Sequence, residues 1–134
     1  MSEAPVKSTG RSIWAVVAGF LVVAALSTAT DAVLHATGVF PALGKNMSNE
    51  LFALATAYRA LYGILGSYVT ARVAPNKPMK HSLIGAAIGT VIATIGAIAT
   101  WNMDIGPHWY PIALILTAFP TGWLGAKLRM MQGQ

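Results

Sequence analysis

The chain has no cysteine. That absence excludes disulfides, thiolate nucleophiles and sulfur-ligated zinc or iron centres together. Charge is scarce as well: 10% of the residues are charged, where soluble domains carry about a quarter. Only four residues are acidic. A water-soluble domain of this length would lack the polar surface needed to cover its core. No glycine-rich phosphate loop is present, and no serine stands in a nucleophile elbow. These absences weigh against nucleophilic catalysis and favour a non-enzymatic protein without deciding the question. The length allows one domain.

What the chain does have is long apolar runs. It is 55% hydrophobic, and four stretches come near the ~20 residues a helix needs to cross a bilayer. They are residues 13–34, 51–73, 83–101 and 110–128. Gly and Thr are frequent inside them and would weaken a soluble helix. In lipid the backbone must satisfy its own hydrogen bonds, so the helix persists. Pro111 suits the first turn of the fourth helix, whereas Pro120 lies inside it and predicts a kink. Pro75-Asn76-Lys77-Pro78 is a turn-rich link, Gly106-Pro107 breaks the link at 102–107, and the longest link, 38–50, contains Gly38, Pro41 and Gly44. The expected fold is an all-α membrane protein, a bundle of four transmembrane helices within residues 11–129. A disordered cytoplasmic tail at 1–10 and a short C-terminal tail at 130–134 flank it.

The cations set the orientation. Lys7, Arg11, Arg72, Lys77, Lys80, Lys127 and Arg129 fall on one side of the four stretches, and only Lys45 falls in the links of the other. The positive-inside rule then puts both termini in the cytoplasm of a multi-pass protein of the cell membrane, the inner membrane in a bacterial cell. The same distribution accounts for the net charge of +5 without a nucleic-acid partner. A cleaved signal peptide is the competing reading of the first stretch, since Ser27-Thr28-Ala29 resembles a cleavage site. The apolar run continues through Leu34, longer than a usual signal sequence. Asn46-Met47-Ser48 is formally a glycosylation sequon and reads as an ordinary loop.

An internal duplication is one reading that the sequence allows. A shift of seventy places sets Gly19 on Gly89, Ala29-Thr30 on Ala99-Thr100, and Phe40-Pro41 on Tyr110-Pro111. Once the longer first link is allowed for, Gly63-Ile64-Leu65-Gly66 answers Gly122-Trp123-Leu124-Gly125. Each unit would be a helical hairpin, and the two pseudo-repeated hairpins would be related by an axis along the membrane normal.

Two sets of residues stand out inside the stretches. Gly85, Gly89 and Gly96 recur on the third helix with Ser82, Ala93 and Thr100, and Gly63 and Gly66 lie on the second. Small residues at such spacing let helix backbones approach where lipid offers no hydrophobic drive, so these are the expected packing faces, within one chain or between copies. The other set is polar. Asp31 and Arg59 are the costly charges, each expensive in the apolar layer unless paired. Asp31 comes ~27 Å along the first helix and Arg59 about 12 Å into the second from the opposite end, so the depths are compatible with one ion pair. Ser27, Asp31 and His35 share a helix face, and Tyr62 lies one turn from Arg59. Asn102, Asp104 and His108 add polar groups in the last link. The spacing of Asp and His is too irregular to assign a metal, and no cofactor is expected; a lone histidine near an interface is usually hydrated. Trp101, Trp109 and Tyr110 fit interfacial anchors.

These features lead first to a non-enzymatic structural or accessory subunit that packs through glycine-rich faces. The alternative is a small oligomeric transporter or channel using Asp31 and Arg59 in the outer half of the bundle. The partners implied are membrane lipids and further copies of the chain or a larger membrane complex.

Overall fold

Apolar runs bounded by serine, proline and glycine form four helices. They are α1 (Glu3–Ala36), α2 (Asn49–Val73), α3 (Pro78–Thr100) and α4 (Trp109–Met131), and no strand occurs among the described residues. The computed structural model describes residues 3–41, 47–103 and 106–132, with side chains from Thr9 onward. Gly44, Lys45, Asn46 of the sequon, Asp104 and the Lys7 side chain lie outside the described residues.

Local chemistry sets most helix ends. Ser48 caps α2, its hydroxyl accepting from the Leu51 N–H at 3.3 Å. Pro78 takes the first position of α3, where its missing N–H is harmless. Pro75 forces Ala74 out of the helical region, ending α2 at Val73. At the end of α1, Gly38 turns the chain in the left-handed region (φ 83°), and Phe40 folds back with its N–H on the Leu34 carbonyl at 3.0 Å. Helix α1 starts ten residues ahead of the expected 13. The segment expected to be a disordered tail is therefore helical from Glu3. Extending a formed helix adds one hydrogen bond per residue without the cost of nucleation, and the Arg11 Nε donates to the Val73 carbonyl at 2.7 Å, tying the segment to the end of α2.

Three helices are long and apolar enough to cross a membrane: the Thr9–Ala36 part of α1, α3 and α4. Helix α2 is as long, at 25 residues, but carries Arg59 mid-length along with Tyr58, Tyr62, Ser67 and Thr70. Its status as a span is less clear from composition. The outer faces are strongly apolar: Ile84, Ile88, Ile92, Ile95 and Ile98 of α3 and Leu116 and Phe119 of α4 are all exposed. In water such a surface would aggregate; it suits contact with lipid.

The helices pack in the cyclic order α1–α2–α4–α3. The α1–α2, α2–α4 and α4–α3 edges are extensive, and α1 meets α3 only sparsely. Across the diagonals, α2 approaches α3, and among the described residues α1 does not approach α4. A two-fold axis relating the two hairpins would set each helix opposite its mate and make those two contacts equivalent, so the packing departs from that symmetry. Close approach is achieved at glycines. A methyl group on Gly66 would sit 2.7 Å from the Gly19 carbonyl oxygen, and one on Gly19 would sit 2.7 Å from that of Gly66, so α1 and α2 cross there. Gly125 likewise sets α4 against the α2 backbone, 2.7 Å from the Tyr68 nitrogen by the same measure. Hydroxyls reinforce these contacts. Thr70 donates to the Ala15 carbonyl at 2.9 Å, Ser67 to Gly122 at 2.5 Å and Ser82 to Ser67 at 3.0 Å. Between helices in a membrane each such bond contributes on the order of 0.6 kcal/mol. All three lie in the half nearer the termini, which is therefore the tightly joined half.

Candidate functional site

A cavity of about 380 Å³ is lined by all four helices and runs from the interhelical hydroxyl contacts toward the opposite end. Helix α1 contributes a face running from Val16 through Gly19, Phe20 and Val23 to Ser27 and Asp31, and α2 contributes a face from Thr70 to Arg59. The period of these positions, three or four residues, is that of one helix stripe.

At the upper end of this cavity Arg59 donates from Nη2 to Asp31 Oδ2 at 2.5 Å. The side chains remain 26% and 32% exposed respectively, so the pair is neither sealed in the core nor free in solvent. Tyr58 completes the arrangement. Its hydroxyl donates to Asp31 Oδ1 and accepts from Arg59 Nη1 at 3.1 Å. The guanidinium also lies over the Tyr58 ring, 5.2 Å from its centroid. Each carboxylate oxygen thus has one protein donor, and Arg59 keeps N–H groups beyond those it uses here. Tyr58 is held by packing on Phe40 and Ala55, with Leu51, Tyr62 and Tyr110 around them. The Gly38 turn after α1 therefore does more than end a helix: it brings Phe40 down as a lid over the tyrosine that braces the ion pair.

The remaining expected site residues fall into separate places. Tyr62 shares a hydrogen bond with Thr30 at 2.7 Å, a second tie between α1 and α2 one turn from the ion pair. His35 is engaged locally, its Nδ1 2.9 Å from the Pro41 carbonyl and its ring edge-on to Phe40. His108 stacks on Trp101 at 3.7 Å, with Nε2 3.0 Å from the Trp101 carbonyl, and so staples its own link. Asn102 is exposed. Among the described residues no three His, Asp or Glu side chains converge as a metal site requires.

The expected packing glycines also divide. Gly63 and Gly66 lie against α4 and α1, a methyl on Gly63 reaching Thr121 Oγ1 at 3.1 Å. Gly85 and Gly89 line the cavity and meet only side chains at ordinary contact, Val16 at 3.9 Å and Phe20 at 3.8 Å by the same measure. Gly96 meets nothing within 4 Å. The tight approaches beyond the second helix are instead at Gly19, Gly122 and Gly125. Their place in the repeat pattern was the available signal, although Gly19 and its match Gly89 differ in how closely they are approached.

Tyr58 was not among the expected site residues. A tyrosine in an apolar stretch reads by default as core or interface, yet Ala55, Tyr58 and Tyr62 recur at helical spacing, and both tyrosines bond to α1, which carries Asp31. Comparison with protein-family models, curated proteins and solved structures returns no match to this chain.

Proposed function

We propose that this is a multi-pass membrane protein crossing the bilayer with all four helices, both termini cytoplasmic, and that it binds a small ligand in its interior as a transporter-type protein. The observation that carries this reading is a cavity lined by all four helices that reaches a partly exposed Asp31–Arg59 pair. A purely structural clip would be better sealed, because exposure weakens a pair that serves only to hold helices together. Pairing also supports α2 as a span, since it neutralises the one charge in the middle of that helix. Four helices are few to enclose a path across a membrane, so translocation would call for a second copy of the chain.

The absence of cysteine makes the test direct. In phosphatidylcholine nanodiscs, Ala118→Cys on the cavity wall should react with a small hydrophilic thiol reagent. Leu116→Cys, 69% exposed toward the apolar exterior, should not. An unreactive Ala118→Cys would mean a sealed interior. The reading would then pass to a structural or accessory subunit, which the Gly19–Gly66 crossing and the apolar outer faces favour.

A further inference from the structure

The polar groups on the cavity wall are unevenly available. Ser67, Thr70 and Ser82 donate to carbonyls of neighbouring helices or segments, and Thr117 and Thr121 donate to carbonyls of their own helix, at Leu114 and Thr117. A hydroxyl spent on a backbone carbonyl presents mainly its carbon atoms to the space beside it. Below the ion pair the wall is completed by Val16, Phe20, Val23 and Ala86 and by the bare backbone of Gly85 and Gly89. The other polar groups gather at one end: the Asp31–Arg59 pair, Thr28 and Ser27, whose buried Oγ has no hydrogen-bond partner among the described residues. The cavity is thus apolar along its length and charged at its tip.

Its shape is elongated. From Val16 to Asp31, both of which line it, α1 rises ~22 Å, a length comparable to that of an extended fatty chain. Access from the side is also provided for. Helix α1 meets α3 sparsely, and there only the Val16 and Phe20 side chains face the bare backbone of Gly85 and Gly89.

Building on the ligand-binding reading above, we infer that the occupant is a single-chain amphiphile with an anionic head: its chain lies in the slot between α1 and α3, and its carboxylate or phosphate takes the place of Asp31 on Arg59. The guanidinium fork suits either oxyanion, and Asp31 is a built-in competitor that keeps Arg59 paired when the slot is empty. The Tyr58 hydroxyl, which donates to Asp31 in this structure, is placed beside the same guanidinium and would be released to donate to the incoming head group.

The probes are oleate, oleoyl lysophosphatidate, neutral monoolein, and acetate as a head without a chain. The readout is protection of Ala118→Cys from the hydrophilic thiol reagent in nanodiscs. Oleate or the lysophosphatidate should protect at concentrations about tenfold below monoolein, the worth of one charge-assisted hydrogen-bonded contact, and acetate should not protect. Which of the two anions is stronger identifies the head group. Gly89→Leu should abolish protection by both, because leucine fills the slot while meeting only Phe20 at ordinary contact. Asp31→Asn should lower the protecting concentration of the anions about tenfold and leave that of monoolein unchanged, since only the competitor for Arg59 is removed. Equal protection by monoolein and oleate, or full protection in Gly89→Leu, would overturn the inference. A reactive Ala118→Cys that none of the amphiphiles protects would overturn it too, while leaving the ligand-binding reading in place for a polar solute.

Discussion

Arg59 is restrained at three points, by the Asp31 carboxylate, the Tyr58 hydroxyl and the face of the Tyr58 ring. Removing either charge alone strands the other in a partly exposed setting, so Asp31→Asn and Arg59→Gln should each destabilise by about 1–2 kcal/mol, less than in a sealed pair. The double variant should recover part of that loss, with a coupling of about 1 kcal/mol or more. Thermal unfolding of the four proteins of this cycle in nanodiscs measures it, and strict additivity would show that the two residues do not meet. Tyr58→Phe keeps the ring on Phe40 but leaves one Asp31 oxygen without its donor, and should lower stability by about 1 kcal/mol. In the Asp31→Asn background the same change should have a smaller effect, because the hydroxyl then bonds a neutral amide. Asp31 and Arg59 were legible in the sequence because a charge in an apolar run is expensive enough to demand a reason. Tyr58 was not, because an aromatic residue in the same run needs none.

At the scale of elements, the glycines separate positions where a backbone must pass from positions where nothing is near. Gly66→Leu would drive a side chain into the Gly19 backbone and should separate α1 from α2, with a loss of about 3 kcal/mol or failure to fold. Gly96→Ala meets open space and should be neutral or slightly stabilising, by up to about 1 kcal/mol through helix propensity. Thermal midpoints of the two variants decide the matter; equal losses would mean that the helix faces are assigned wrongly. The existence of the helices was legible because apolar length and Pro/Gly punctuation are local properties. Their ends were less so: α1 extends to Glu3 because a helix propagates past the last residue that lipid requires. Which small residue receives a neighbouring backbone depends on crossing points between helices far apart in sequence, and spacing within one helix does not contain that information. Pro120 illustrates the same limit. Helix α4 runs through it without interruption, with Pro120 itself exposed and Thr121 bonded to the Thr117 and Ala118 carbonyls beside it.

For the molecule as a whole, the open quantity is how many times the chain crosses the membrane and in which sense. Helix α1 is ~51 Å long, well beyond the ~30 Å hydrocarbon layer, so its N-terminal turns project past the lipid. That projection carries Arg11, on the same side as the Lys77 and Lys80 junction, which the proposed orientation places in the cytoplasm. Single cysteines at Lys77 and Asn49, which lie at opposite ends of α2 and are both exposed, convert the assignment into a measurement. With an impermeant thiol reagent on intact cells, Asn49→Cys should label and Lys77→Cys should label only after permeabilisation. The reverse pattern would invert the protein, which would also place the head-group end of the cavity on the cytoplasmic side. Labelling of both sites from outside would mean that α2 does not cross, and its Arg59 would then lie in an environment where pairing with Asp31 is no longer demanded. The experiment thus tests, through the most polar helix, the energetic premise on which the interior site rests: a charge in the middle of a 25-residue helix is tolerated in lipid because α1 brings its counter-charge to the same depth.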